Sequence, residues 1–442
     1  MLKSADILIN NIMADKQKAI DEGRIRKEKA QKKIDNSEKK YEIPSNWRWI
    51  RLGDYCLKAT DYVASGSFAS IKANVNYYDT ENYAIMVKTA DFSNNFTRNL
   101  TYTDESSYKF LSNSNLFGGE LILSNIGSIG KVFKVPYLNK PMTLASNTIM
   151  IKFTNDDLVD YVYYYLKSEY GQKALKSISS GTSMLKFNKT QLKTLPLPIP
   201  PFEIQNKIVQ VLDKAQELID KRKEQIEALD ELVKSKFIEM FGDPVTNYKQ
   251  WQKRKLIDEC NIVTGNTPSR KVDEYYGNYI EWIKSDNITD SNIYLTKARE
   301  YLSEKGLQVG RYVEENSILM TCIAGSIKCI GNVAIANRKI AFNQQINAIE
   351  PLNNNVFFMF EQFRLSQQYI QSTINMSLKG ILSKGQLSEL EFIFPPIELQ
   401  NQFADFVKHV DKLKLEMENS LKELEDNFNS LMQRAFKGEL FN

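Results

Sequence analysis

Histidine is nearly missing from this 442-residue chain, with His409 as its one instance. An HExxH metalloprotease pair and most zinc catalytic sites need more than one, so these chemistries are excluded. A Ser-His-Asp triad would have to use His409, two residues past an apolar seam position of a long helix, where a solvated side chain is expected. Cysteine is scarce as well. Cys56, Cys260, Cys322 and Cys329 have no CxxC spacing, so neither a disulfide scaffold nor a zinc ribbon is supported. No apolar run approaches the ~20 residues of a membrane span, and residues 1–30 lack a signal-peptide core, being interrupted by Asp6, Asp15, Lys16 and Lys18. A cytoplasmic protein is the expectation. Gly130 and Lys131 resemble the end of a phosphate loop, but Asn125 stands at the first glycine position and Val132 at the Ser/Thr position, so the match fails. No GxGxxG follows a strand-like run, and Gly127 to Gly130 reads as an ordinary turn before it reads as a GxxG clamp. The NPPY-like or DPPY-like tetrapeptide of amino-methyltransferases is absent, so methyl transfer by this chain alone is not expected. Neither catalytic residues nor metal ligands are assigned.

What the chain does have is a repeat. PPFEIQN at Pro200 to Asn206 returns as PPIELQN at Pro395 to Asn401, 195 residues later. Pro196, Pro198, Pro200 and Pro201 hold the first copy extended, and a helix is expected to start near Phe202. Leu212, Ile219, Ile226, Val233 and Met240 then recur every seven residues, flanked by Val211, Leu218, Leu229 and Leu232, and nothing breaks the helix before Gly242. Such a rod is about 60 Å long. Behind the second copy, Val410, Met417, Leu424 and Leu431 keep the same spacing, with Val407, Leu421 and Phe428 in the next row. Two unbroken apolar seams predict an antiparallel coiled coil, and the chain reads as globule then rod, used twice.

With 42% hydrophobic residues the chain can bury more than one core. We divide it into an N-terminal helical segment (1–45), a first globule (46–195), a central rod (196–242), a second globule (243–394) and a C-terminal rod (395–442). Their net charges are +3, +5, −2, +1 and −3, which total the chain's +4. A polyanion would therefore be met by the globules and not by the rods. Residues 2 to 40 read as helix with a basic face (Arg24, Arg26, Lys27, Lys29, Lys32, Lys33), a solvated surface before a phosphate contact.

In the first globule, strand-like runs at Tyr83 to Thr89, Glu120 to Leu123 and Thr148 to Phe153 alternate with Asn-, Ser- and Gly-rich turns, and Leu158 to Ser177 is more helical. This predicts a mixed α+β domain. Its turns carry side chains suited to base edges and phosphates, namely Ser65, Ser67, Lys88, Thr89, Ser124, Asn125, Ser128, Lys186 and Asn188. The second globule repeats the landmarks. Trp47, Leu52, Asp54 and Cys56 match Trp251, Leu256, Asp258 and Cys260 at an offset of 204, while Lys88 matches Lys284 and Asn147 matches Asn343 at 196. GSIG at Gly127 to Gly130 is echoed by GSIK at Gly325 to Lys328. Shared anchors with divergent loops suit two readers on one scaffold, although neutral drift of two copies leaves the same pattern.

Two globules each followed by a proline-led PPxExQ helix, together with LMQRAFKGEL at Leu431 to Leu440, resemble the DNA-specificity subunit of type I restriction-modification enzymes. TGNTPSRK (Thr264 to Lys271), YIEWIKSDNI (Tyr279 to Ile288) and AFNQQI (Ala341 to Ile346) are similar to signature stretches of that family's target-recognition domains. The first globule has ASGSF (Ala64 to Phe68) where the second has TGNTP. The resemblance covers essentially the whole chain and implies a pseudo-twofold internal repeat, with each globule reading half of a split DNA site and the rods fixing the gap. The DNA-binding candidates in the second globule are Thr264, Thr267, Ser269, Arg270, Lys271, Lys284, Ser285, Ser326, Asn343, Gln344, Lys379 and Lys384. The implied partners are double-stranded DNA, two methyltransferase subunits, and restriction subunits with translocase and nuclease activity. No cofactor is expected on this chain, since S-adenosylmethionine, ATP and Mg belong to the partner subunits. Two rival readings are a structural coiled-coil protein with two adhesive globules and a self-contained restriction or methylation enzyme.

Overall fold

The computed structural model describes every residue except 1–3, 29–30, 128, 182–184, 290–291, 375–379 and 442. The chain divides into two units, Met1–Lys221 with Leu421–Asn442, and Arg222–Ser420. Among the described residues, no helix is long and apolar enough to cross a membrane.

Both units are built to one plan. In the first, Arg48–Arg51 pairs antiparallel with Pro196–Ile199 as a two-stranded ribbon, where the missing N–H groups of Pro196 and Pro198 break no larger ladder. A four-stranded sheet follows in the order Lys58–Asp61, Thr148–Lys152, Leu121–Ser124, Val132–Lys134. A second, mixed sheet runs Tyr102–Thr103, Ala84–Val87, Met142–Leu144, Asn115–Leu116, with its two central strands parallel. The second unit repeats all three. Its ribbon is Lys253–Lys255 with Glu391–Ile393, its first sheet is Cys260–Thr264, Ile346–Pro351, Ile318–Thr321, Val333–Ile335, and its mixed sheet is Tyr301–Leu302, Tyr276–Ile283, Ile340–Phe342, Tyr312–Val313.

Two long helices, Phe202–Phe241 and Ile397–Lys437, start inside the PPxExQ motifs, right behind each proline pair. The motif glutamine explains why. Gln205 is fully buried, donates to the Pro200 carbonyl at 3.1 Å and accepts from the Tyr55 hydroxyl at 2.9 Å. Gln400 donates to the Pro395 carbonyl at 2.8 Å and accepts from the Asn355 backbone N–H at 2.9 Å. Each thus fastens a helix start to its own globule. Gly242, at φ +79°, accepts the left-handed turn that closes the first long helix.

The helices pair antiparallel within each unit. In the first, Tyr161 bonds the Pro198 carbonyl and packs on Phe436, while Tyr164 bonds Asp213 and packs on Phe428, so the register descends on one helix as it rises on the other. In the second, Phe237 and Phe241 lie 5.4 and 5.7 Å from Phe403, and Lys414 bridges to Asp230 at 2.7 Å. Each fully buried phenylalanine contributes about 1.5–3 kcal/mol relative to exposure. Ile204, Ile208, Leu212 and Ile219 form the buried stripe in the first unit, and Leu229, Val233, Phe237 and Phe241 in the second. Here the expected seam needs correcting: Leu218 and Leu232 are 49% and 47% exposed, and Ile226 and Met240 only half-buried. The globules press on the helices from the side, so the buried stripe follows their contact and leaves part of the seven-residue row outside. His409 is exposed on the second long helix.

A second correction concerns the N-terminus. The helix runs only from Ala5 to Asp21, and Gly23 at φ +71° turns the chain out of it. Arg24, Arg26, Lys27, Lys32 and Lys33 therefore line no helix face, and Lys29 lies outside the described residues. This stretch is held by Arg51, which is 6% exposed, pairs with both Glu38 oxygens and donates to the carbonyls of Lys32, Lys33 and Thr194.

Candidate nucleic-acid interface

Backbone pairing within the second unit gathers several loops at one end of its sheets. Gly265 N–H donates to the Ile346 carbonyl at 3.1 Å and Asn266 to Phe342 at 3.2 Å, tying the TGNTP loop to the turn at Asn343 to Gln345. A Cβ on Gly265 would sit 2.1 Å from the Asn343 carbonyl oxygen, so only glycine allows this approach. Asn343 N–H donates to Ile283, Cys322 N–H to Gln345, and Leu382 N–H to Cys322. The loops that carry Thr267, Lys284, Ser326, Gln344 and Lys384 thereby form one surface.

Equivalent bonds organise the first unit. Ala145 N–H donates to Val87, Asn125 to Asn147, and Phe187 to Asn125. These pairings fix the true correspondence of the repeat. Lys88 does match Lys284, each following the strand end. Asn147, however, matches Gln345, because Asn125 and Cys322 make the same bond to them, and Asn343 takes the place of Ala145. The GSIG echo shifts likewise: Gly130 at φ +85° matches Gly331 at φ +86°, since the Lys131 and Asn332 carbonyls accept from the equivalent Ser124 and Thr321 N–H groups. The second loop is four residues longer, which a sequence alignment on the shared letters hides.

The candidate side chains differ in availability. Ser67, Asn188 and Ser326 are occupied as helix caps, accepting from Ser70, Gln191 and Lys328 N–H groups. Asn343 is 5% exposed and spends its amide on Gln345. Thr264 donates to Asn347 at 2.7 Å, Thr267 donates to Gln344, and Lys88 donates to Thr101. Ser124 is 5% exposed, with its hydroxyl 3.4 Å from the Ile126 carbonyl. Lys186, Ser269, Lys271 and Lys384 are exposed, and Thr89 and Ser285 half-buried. Ser128 and Lys379 lie outside the described residues. Four buried polar atoms on these loops find no partner among the described residues: Ser65 Oγ, Asn125 Oδ1, Asn266 Oδ1 and Thr321 Oγ1. Two of them lie in each unit, and all four are shut off from solvent, so they are not themselves contact atoms for a ligand.

The most developed local site lies on the second unit. Arg270 sits with its guanidinium 4.4 Å from the Tyr276 ring centre and 5.0 Å from that of Trp282, and Lys284 Nζ is 5.0 Å from the Trp282 ring. Both cations meet Glu300, Arg270 at 2.6 Å. The Lys284 ammonium above all, and then Arg270, hold the Glu300 carboxyl below the usual carboxylate range against the opposing effect of burial. Sequence reasoning named the two cations and missed Glu300, which stands on the neighbouring strand's approach with no motif around it.

A family model for the type I restriction modification DNA specificity domain matches residues 44–229 and 248–426. A provisionally named MjaX type I restriction enzyme specificity subunit of Methanocaldococcus jannaschii is 24% identical over 394 residues, 84% of this chain and 88% of that protein. The EcoBI type I restriction enzyme specificity subunit of Escherichia coli is 23% identical over 353 residues, 71% of this chain and 73% of that protein. Among solved structures, a chain from work on complex assembly and conformational transition of the type I R-M system superposes with a TM-score of 0.58 at 17% identity. It covers 90% of this chain and 100% of its own length, which is a likeness of fold.

Proposed function

Because the chain belongs to the type I restriction modification DNA specificity family, we propose that it is the sequence-reading subunit of a type I restriction-modification complex. Each globule reads one half of a two-part DNA site through the loop cluster at the end of its sheets. The long helices set the unread gap and offer the surface on which methyltransferase subunits dock, with restriction subunits joining the larger assembly. The chain contributes recognition and no catalysis of its own, and S-adenosylmethionine, ATP and Mg are used by its partners in the cytoplasm.

The observation that supports this reading best is one loop cluster made twice by the same backbone bonds, bearing different side chains each time. Phosphate contacts position a protein on DNA, whereas side chains at base edges specify sequence, so a constant frame with variable tips suits two readers. The test is methylated-base mapping of DNA from cells that express the chain with its methyltransferase subunit. A two-part motif with an unread gap is expected, and a single continuous motif or no new methylation refutes the reading.

A further inference from the structure

The same backbone position carries opposite chemistry in the two globules. Trp282 N–H donates to the Glu300 carbonyl at 3.0 Å, and Met86 N–H donates to the Thr101 carbonyl at 2.8 Å. Glu300 and Thr101 are therefore equivalent, as are Lys284 and Lys88 two residues beyond the donors. In the first globule Lys88 donates to the neutral Thr101 hydroxyl. The nearby Asp91 is 2% exposed, and its Oδ2 accepts from the Lys88 backbone N–H at 2.7 Å. In the second, Lys284 and Arg270 share the Glu300 carboxylate, one on each oxygen. Arg270 is the freer of the two, with its side chain 54% exposed against 31% for Lys284. The Tyr276 and Trp282 rings hold the guanidinium in place while its outer edge faces solvent.

We propose that Glu300 is a built-in counter-anion that occupies Arg270 in the free protein and yields it to a DNA phosphate on binding, so that the second globule is restrained from sequence-independent binding while the first is not. A carboxylate and a phosphate oxygen compete for the same two-pronged donor, and guanidinium suits both. Lys284 stays on Glu300 and keeps the released carboxylate neutralised. The exchange makes this globule's phosphate contact conditional on close approach, a property of a specificity element. This inference rests on the DNA-reading assignment above.

The test is equilibrium binding of the purified full-length chain to a duplex of non-cognate sequence across a salt series. Each phosphate neutralised adds about 0.9 to the slope of log affinity against log salt. Glu300→Gln removes the anion that both cations share, a net gain of one positive charge, and leaves the more exposed Arg270 open to a phosphate. It should steepen the slope by about that amount, adding about a 3.5-fold fall in affinity between roughly 50 and 200 mM salt, and tighten binding at the low end. Arg270→Gln in the Glu300→Gln background should return the slope to that of the parent. If the parent binds and Glu300→Gln leaves slope and affinity unchanged, the counter-anion proposal is overturned while the DNA reading stands. If the parent binds no duplex at any salt, the reading fails and the proposal with it. Should Glu300→Gln melt early, Glu300→Thr, which installs the first globule's own residue at that position, carries the same expectation.

Discussion

Replacing Gln205 with leucine probes how the PPxExQ motif acts. Leucine keeps nearly the same volume in a fully buried position but leaves two groups stranded, the Tyr55 hydroxyl and the Pro200 carbonyl. Each buried polar group deprived of its partner costs about 1–3 kcal/mol, so the substitution should remove about 2–6 kcal/mol from the first unit. For a body of 150–250 residues, each kcal/mol shifts Tm by about 2–4 °C, which puts the expected drop on the order of 10 °C. Tyr55→Phe alone strands the Gln205 carbonyl oxygen and should cost about 1–3 kcal/mol. Combined with Gln205→Leu it leaves just the Pro200 carbonyl unmet, one stranded group against three summed over the singles, so the double variant should be more stable than that sum by about 2–6 kcal/mol. Thermal melts give the shift, and amide exchange at Ile204 to Ile208 against Phe403 to Val407 locates it. A Gln205→Leu melt within about 1 °C of the parent, or strictly additive losses, would show that the motif is not a latch.

Exchanging residues 46–195 for the equivalent globule of a relative should alter one half of the methylated motif and leave the other intact; a change in both halves defeats independent reading. A matched four-residue insertion near Glu227 and Lys422 adds about 6 Å to each long helix and should lengthen the unread gap by one or two base pairs, and an unchanged gap in an active variant removes the ruler. Glu361, 3% exposed, has its carboxyl pushed above the usual range by burial, with Arg364 at 3.1 Å opposing in part. A raised folded-state pKa means that this group favours the fold below its unfolded pKa and loses that contribution as pH rises through the folded one. Glu361→Gln should accordingly raise Tm relative to the parent at about pH 8 and lose the advantage toward about pH 4. A difference that grows on acidification contradicts the assignment.

Much of this architecture is legible in the residues alone. The helix starts at Phe202 and Ile397 follow from prolines that cannot continue a helix, and the repeat is visible because ribbon and helix-start anchors such as Leu52 and Leu256 make the same bond, to Leu195 and Leu390. Loop correspondence was less legible. Asn147 and Asn343 share a letter and an offset, yet strand register sets Asn147 against Gln345, since an insertion moved the frame without disturbing hydrogen bonding. The seven-residue rows overstated burial at Leu218 and Leu232 because periodicity reports a helix face and not what lies opposite it. Glu300 was invisible for a related reason: its significance comes from Arg270 and Lys284, which are distant in sequence and meet it through the fold.

The first unit's core joins Ile12 and Trp47 to Phe428, Met432 and Phe436, whereas the second unit is one uninterrupted run from Arg222 to Ser420. A ribosome therefore finishes the second unit first, although it began the other one some two hundred residues earlier. Until Leu421–Asn442 emerges, Tyr161 and Tyr165 lack the Phe436 ring that closes over them. Long-range closure of this kind is slow, and it leaves apolar surface open during synthesis. A frameshift in the last stretch of the gene thus injures the domain translated at its start and leaves its neighbour whole.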